Sequence, residues 1–509
     1  MISRKNFLKL AAGAPLLPAA LAAQKSDGAA QRPDVVQAFR PAKVEKAAIK
    51  GTTDALTAFI TKTTLADIPS DVVAQAKRCL VDGFGVVLAG STVKGTQIVR
   101  DYVKSVGDRR EATAIGEGSM MTTAAHAALL NAASGHAMDY DDTQLSTTPD
   151  RTFGLLTHPT VPALAAALAV AERRRASGAA FLEAFLIGFE VECKIAEAID
   201  PAHYNKGFHS TGTIGTFAGA AAAAKLMHMP APQVRHMLTI ASSMSSGVRV
   251  NFGSMTKPLH SARAAENGVL SAEYASRGFT GGDDGLDGQW GFFQVFGGGV
   301  DLARLIPVLG KPYTMVNPGS SFKPYPCGSL SHPTMDAMLK AVVDHDIKPE
   351  QVRAVRVRAG SNVLDPLRYT IATNELEAKF CLPFLMSSLI VRRRAGVKEF
   401  TDEFVKSAPV QKMMPKVTNI FDPKIEAQGF DKIRSVVEID LVDGRTIVQQ
   451  ADERYRGGPE KPFTPEELHA KFADCAQLTM NAGRITKAVE TIEAVDRLKD
   501  VGELIKALA

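Results

Sequence analysis

In "NFGSMTKPLHSARAAENG" (residues 251–268) a lysine and a histidine, Lys257 and His260, stand three positions apart where a glycine turn gives way to a helical run. A helix N-terminus already carries partial positive charge from its unpaired amides, so an ammonium placed there strengthens an anion site. The pattern recurs. His158 in "LLTHPTVPAL" and His209 in "NKGFHSTGTIGT" each precede a helical run. In "FKPYPCGSLSHPTMDAM", Lys323 precedes a proline-rich turn and His332 opens a helix. Helix starts converging on one cavity would make a cationic pocket containing imidazoles, which exchange protons near neutral pH. The densest polar stretch, "GHAMDYDDTQLS", reads as helix and then sets Asp139 on one face with Asp142 and Thr143. Those acids suit a solvated helix end, a magnesium-type site of converging carboxylates, or a proton-transfer group with its orienting neighbour. Lysines brought to the same place argue against the metal.

The elements that must position these groups are mostly helices. From Thr52, "TDALTAFITKTTLADIPSDVVAQAKRCLVDGFGVVLAG" gives two apolar-periodic stretches around Ile68-Pro69-Ser70, with Ser70 as N-cap. "PTVPALAAALAVAERRRA" and "AAFLEAFLIGFEVECKIAEAI" continue in that manner. "STGTIGTFAGAAAAAKLM" is nearly all small residues, with Gly215 and Gly219 spaced for close approach, and predicts a buried helix. After Pro318 the texture changes. "PEQVRAVRVRAG" and "IRSVVEIDLVDGRTIVQQADE" alternate apolar and polar residues, and Asp443-Gly444 signals a hairpin. Helical stretches lie between them, and "TPEELHAKF" is a strong helix start. The expected fold is mostly α with an α+β insertion. A large helical domain is built from residues 52–319 and 455–509, with a smaller α+β lid over 320–454.

The chain of 509 residues is 45% hydrophobic and 22% charged, the composition of a globular protein of more than one domain. Its first residues, "MISRKNFLKLAAGAPLLPAALAAQ", run basic, then apolar, then small, the anatomy of an export signal over 1–22, with a linker over 23–51. "SRKNFLK" resembles the twin-arginine box, with Lys5 in place of the second arginine, so a periplasmic or secreted destination is expected. The apolar run is too short to span a bilayer. Removing 1–22 takes Arg4, Lys5 and Lys9 and no acid from a formal charge of +5, leaving +2. Such a balance points to neither nucleic acid nor a membrane surface as partner. The five cysteines show no metal or redox spacing.

The blocks "GHAMDYDDT", "HPT", "GFHSTGTIGT", "NFGSMTKPLHSARAAENG", "GFTGG", "FKPYPC" and "DGR…KPFTPEELHAKF" occur in the order found in the MmgE/PrpD family, which this chain resembles from about residue 52 to about residue 480. That family includes 2-methylcitrate dehydratase, cis-aconitate decarboxylase and iminodisuccinate epimerase. The resemblance implies a homodimer with an active site between a helical domain and a lid. It also implies cofactor-free, metal-free chemistry on small polycarboxylates. By the family's pattern Asp139, Thr143, His158, His209 and Lys257 line the site from the helical side, and Lys323 and His332 from the lid. Three departures stand out. The stretch between Thr143 and His158 is longer than in decarboxylase-like members, Gly328 stands where the decarboxylase carries a histidine, and Phe384 stands where tyrosine is common.

The shared reaction logic is proton removal beside a carboxylate, or its reverse, with the developing enolate charge stabilised by cations and helix ends. His158 and His209 are then the acid/base pair, and Asp139 orients. Lys257 and Lys323 bind anions, Thr143 contacts substrate, and His260 and His332 rank behind. The expectation is a dehydratase-type lyase, with decarboxylase and epimerase as alternatives. A non-catalytic periplasmic polycarboxylate binder would keep the cationic clamp without needing the imidazoles. A magnesium-dependent prenyl-type synthase is suggested only by "DDGLD" at 283–287, whose glycine surroundings preclude a helical face.

Overall fold

A computed structural model describes residues 51–107, 109–145 and 157–509. The export segment, residues 23–50 of the linker and residues 146–156 lie outside the described residues. Helices of ten residues or more are numbered. The first nine are α1 (Thr52–Lys62), α2 (Ser70–Gly90), α3 (Lys94–Val106), α4 (Ala124–Ala137), α5 (Thr160–Arg174), α6 (Gly178–Ile199), α7 (Gly215–Leu226), α8 (Ala231–Met244) and α9 (Thr256–Ser276). Helices α4, α5, α7 and α9 pack on one another, with α6 against α7 and α2 against α4. Small residues make this possible. In "GTFAGAAAAAKL" every residue of α7 but Lys225 is buried. A Cβ on Gly268 of α9 would lie 2.4 Å from the Ala220 amide nitrogen, so α7 and α9 touch backbone to backbone and position 268 admits no side chain.

A second hydrophobic cluster follows, drawn from residues between Tyr325 and Tyr455 and including Leu145. Here α10 (His332–Asp344) and α11 (Leu382–Arg392) accompany a four-stranded sheet. Its strands are β5 (Val352–Ala359), β6 (Val417–Phe421), β7 (Ser435–Leu441) and β8 (Thr446–Gln450), in the order β6-β5-β7-β8. Strands β5 and β6 run parallel; β5 and β7, and β7 and β8, run antiparallel. Gly444 closes the β7–β8 hairpin at φ +91°, the left-handed conformation that the Asp-Gly step supplies. Earlier in the chain, β1 (Ala112–Ala114) pairs β2 (Met120–Thr122), and β3 (Thr143–Gln144) pairs β4 (Ser320–Ser321).

The chain then returns to the helical core through α12 (Pro465–Ala476) and α13 (Ala482–Glu493), both packed on α2. Phe472 and Cys475 join the same apolar cluster as α2. Thr464 and Glu467 form the capping box that opens α12, with reciprocal bonds of 3.2 and 2.8 Å. The fold is thus mostly α with an α+β C-terminal portion.

One local expectation is corrected. "GHAMDYDDTQLS" is not a single helix: α4 ends at Ala137, Asp139 takes φ +51°, and Thr143-Gln144 is strand. Aspartate tolerates the left-handed region, and this one is held there by a lysine, described below, that bonds both its carboxylate and its own carbonyl. The "DDGLD" string also has a plain role. The Asp287 carboxylate accepts the amides of Gly51 and Thr53, each at 3.2 Å, at the N-terminus of α1.

Candidate active site

The α4 C-terminus, the β3–β4 pair and the starts of α5 and α9 meet around one cavity of about 60 Å³. Asp139, Thr143, Thr157, His158, Tyr204, His209, Thr211, Phe252, Lys257 and Lys323 line one part of it. Gly328, Ser329, Leu330, Pro366, Leu367 and Phe380 line the other. The β3–β4 pairing explains one approach: Thr143 pairs with Ser321, and Lys323 lies two residues further on.

Asp139 is the electrostatic centre. Its Oδ1 accepts the Lys257 ammonium at 2.5 Å and the Lys323 ammonium at 2.8 Å. Lys323 also donates to the Asp139 carbonyl at 3.0 Å and the Cys327 carbonyl at 3.3 Å. Asp139 Oδ2 is buried and has no protein partner. Burial alone would raise this carboxyl, but Lys257 and then Lys323 outweigh it and hold it well below its ordinary range. Two ammoniums meet one carboxylate on the cavity wall, with the Asp141 carboxylate buried behind them, an arrangement that suits an anion in the cavity. Lys257 also stands over the rings of Phe252 and Phe380, at 5.1 and 5.2 Å from their centroids. Burial lowers its ammonium from the ordinary value, and Asp139 opposes that shift.

The histidines are placed by backbone. His158 precedes α5; its Nδ1 donates to the Asp142 carbonyl at 2.8 Å, and its amide donates to Thr211 Oγ1 at 3.0 Å. A carbonyl only accepts, so the proton sits on Nδ1 and Nε2 of the neutral ring is left as acceptor. Burial pushes His158 down to about 3, with Lys323 helping and Asp141 opposing. His209 is anchored by its amide on the Gly247 carbonyl at 3.1 Å, and burial holds its imidazole well below the ordinary value. Both rings are neutral at pH 7. Thr143 lines the cavity with its Oγ1 3.4 Å from the Thr157 carbonyl.

Two candidates do not reach the cavity wall. His260 lies in the first turns of α9 behind His209, their Nδ1 atoms 3.0 Å apart. Gly212 permits this approach, since a Cβ there would sit 2.8 Å from His260 Cβ. His332 is buried at the start of α10 with both nitrogens engaged, Nδ1 with the Tyr455 hydroxyl at 2.5 Å and Nε2 with the Cys327 carbonyl at 3.2 Å. Phe384 is also away from the cavity, packed on Phe400 and Phe404. Phe380 is the aromatic of that segment that lines it.

Two features escaped the sequence reading. Phe252 and Phe380 form an aromatic wall, and His136 with Asp141 forms a buried pair behind the cavity at 2.8 Å. The five-residue spacing of His136 and Asp141 was legible, but a continuous helix would have turned them apart; the break after Ala137 turns Asp141 back. Among the described residues, His136, His158 and His209 each offer a ring nitrogen within 4.8 Å of the others. Lys257 and Lys323 bring like charge beside that point, while the Asp141 carboxylate on His136 brings opposite charge.

With this geometry in place, the comparisons with known proteins are decisive. The MmgE/PrpD N-terminal domain model matches residues 54–305 and the C-terminal domain model matches residues 325–496. The chain belongs to the MmgE/PrpD family. Human cis-aconitate decarboxylase is 24% identical over 470 residues, covering 90% of this chain and 95% of the relative. The mouse enzyme of that name is 25% identical, covering 90% and 94%. Cis-aconitate decarboxylase from Aspergillus terreus is 24% identical, covering 87% and 92%. The cavity therefore lies in an MmgE/PrpD chain whose relatives along nearly their whole length are enzymes acting on a small carboxylate.

Proposed function

We propose that this MmgE/PrpD protein is a cofactor-independent hydro-lyase that eliminates water from a small polycarboxylate by proton transfer at a carbon beside a carboxylate. The observation that carries this reading is the Asp139 carboxylate shared by Lys257 and Lys323 on the same wall as the imidazoles His158 and His209. In this reading the two ammoniums bind a substrate carboxylate and stabilise the enolate-like charge that grows on it. One of the two neutral imidazoles takes the carbon-bound proton, and that proton, handed on to the other imidazole, is delivered to the leaving hydroxyl. Thr143 and the aromatic wall orient the carbon skeleton.

Decarboxylation is the second reading, favoured by the relatives' names. Against it, Gly328 lines this cavity where the decarboxylase carries a histidine, so a proton donor is missing from that wall. Incubating the purified protein with citrate, 2-methylcitrate, malate and cis-aconitate, and following products by proton NMR, separates the readings. A new alkene signal with no carbon dioxide supports the hydro-lyase; carbon dioxide release makes it a decarboxylase, and inversion at a stereocentre makes it an epimerase. Saturable binding without turnover makes it a polycarboxylate binder. The basic-apolar-small order of residues 1–22 supports export to the periplasm, tested by cell fractionation. The family resemblance supports a homodimer, tested by light scattering.

A further inference from the structure

His136 is fully buried on α4 and is not part of the cavity wall, yet the His158 and His209 rings flank it, their centroids 4.9 and 5.5 Å from its own. Its Nδ1 contacts both oxygens of Asp141, at 3.0 and 2.8 Å. Its Nε2 is buried with no protein partner, and so is Nε2 of His209. In all three rings Nδ1 is engaged: with Asp141, with the Asp142 carbonyl, and with His260. Nε2 is therefore the nitrogen each ring has left, and each of the three rings brings one nitrogen within 4.8 Å of the others, a distance one bridging water can span.

The three rings differ in what braces them. His158 donates to a neutral carbonyl with the Asp141 carboxylate 3.9 Å away, His209 meets another imidazole, and His136 contacts Asp141 directly at 2.8 Å. Burial would raise Asp141, but His136 and then His158 outweigh it and hold the carboxyl at about 2. Asp141 lies nearest His136, so a proton passing through the cluster meets its closest opposite charge there. Burial disfavours that proton on both cavity rings; at His158 Lys323 and Lys257 work against the pull of Asp141, and at His209 Lys257 adds to the penalty.

We propose that His136, braced by Asp141, is the proton carrier that connects the two cavity histidines. This rests on the reading given above. As the carbon–hydrogen bond breaks, its electron pair passes into the enolate and its proton to Nε2 of the accepting cavity imidazole. That proton moves to Nε2 of His136, giving an imidazolium opposite the Asp141 carboxylate. His136 returns a proton to the other cavity imidazole, which delivers it to the hydroxyl as the carbon–oxygen bond breaks. Water leaves, and the protein ends with the protons it began with. His136 touches no substrate and is a positioning residue in this scheme. The charged and titratable groups facing it are Asp139, Asp141, His158, His209 and His260.

The test has two arms. The first uses the full chain with 15N-labelled histidine and no substrate, between pH 5 and 8, with ring signals assigned by single histidine variants. The account expects the resting His136 ring to carry its proton on Nδ1, donated to Asp141, with Nε2 unprotonated and open to accept, and expects Asp141→Asn to change that tautomer. A resting His136 that already carries a proton on Nε2, an unchanged signal in Asp141→Asn, or one equivalent of metal bound on the three rings would overturn it. This arm stands even if no tested carboxylate turns over, so its failure is distinct from failure of the hydro-lyase reading. The second arm uses whichever probe among citrate, 2-methylcitrate and malate the wild type dehydrates. His136→Gln and Asp141→Asn should lower kcat by about 10- to 100-fold with KM within about twofold and an altered pH profile. A rise in KM together with a falling Tm and an unchanged pH profile would reduce the pair to a structural role.

Discussion

The two walls of the cavity differ in kind. The wall supplied by residues before 320, with Lys323 beside it, carries Asp139, His158, His209 and Lys257, and each is fixed by bonds to backbone or to another charged group. The facing wall from 328 to 380 presents a glycine, a serine, two leucines, a proline and a phenylalanine. The charged and titratable groups sit on the first, and apolar groups with one hydroxyl line the second. In such a division substitutions on the first wall should remove the reaction, and substitutions on the second should change what is accepted.

The largest effect should follow loss of a cavity imidazole. His158→Gln and His209→Gln should each lower turnover by about 10²- to 10⁴-fold while the thermal transition stays within a few degrees. Full turnover in either variant would remove that residue from the mechanism and blur the contrast between the walls. Next comes Lys257→Met. It removes a charge-assisted bond of the kind worth about 1.5–3 kcal/mol, so carboxylate binding by calorimetry should weaken about 10- to 100-fold. Asp139 keeps Lys323, so the protein should still fold; an unchanged affinity would place the anion site elsewhere.

Beneath the same wall, burial followed by Asp82 and Asp141 raises the Asp142 carboxyl to about 8. Its folded pKa therefore lies above its unfolded one. The stability this proton confers is complete below about pH 4 and is lost as pH rises through about 8. The slope is about 1.4 kcal/mol per unit in that window. Asp142→Asn should flatten the decline of Tm between pH 5 and 8 relative to wild type. Parallel curves for the two proteins would contradict it. The smallest effect belongs to the facing wall. Gly328 has φ −56°, and a Cβ there would meet Leu367 Cδ2 at 3.3 Å, a side chain able to shift. Gly328→Ala should hold kcat and change KM by about tenfold or less, more for larger carboxylates than for smaller ones. A loss of kcat instead would mean that chemistry depends on both walls.

Much of this was legible before any coordinates. The period-3.6 stretches and Ala/Gly-rich runs gave a helical core, and alternation around Asp443-Gly444 gave the β7–β8 hairpin. Histidines placed before helix starts and two distant lysines suggested a shared pocket, and His158, His209, Lys257 and Lys323 line one cavity. What escaped depended on chain breaks and packing. The left-handed turn at Asp139 replaced a continuous helix and paired His136 with Asp141, which spacing on a helix hides. His260 and His332 resemble their neighbours in sequence, yet one stands behind His209 and the other is spent on Tyr455 and Cys327. Spacing announces a titratable residue near a helix start, and only the tertiary fold decides which way its ring turns.

The most direct test of carbon-acid chemistry is proton NMR in D₂O of the protein mixed with a panel of small di- and tricarboxylates, with and without EDTA. The account predicts solvent deuterium appearing at a carbon beside a carboxylate, insensitive to EDTA and lost in His158→Gln and His209→Gln. Line-broadening of a carboxylate on binding, with no deuterium incorporated by the wild type, would contradict it.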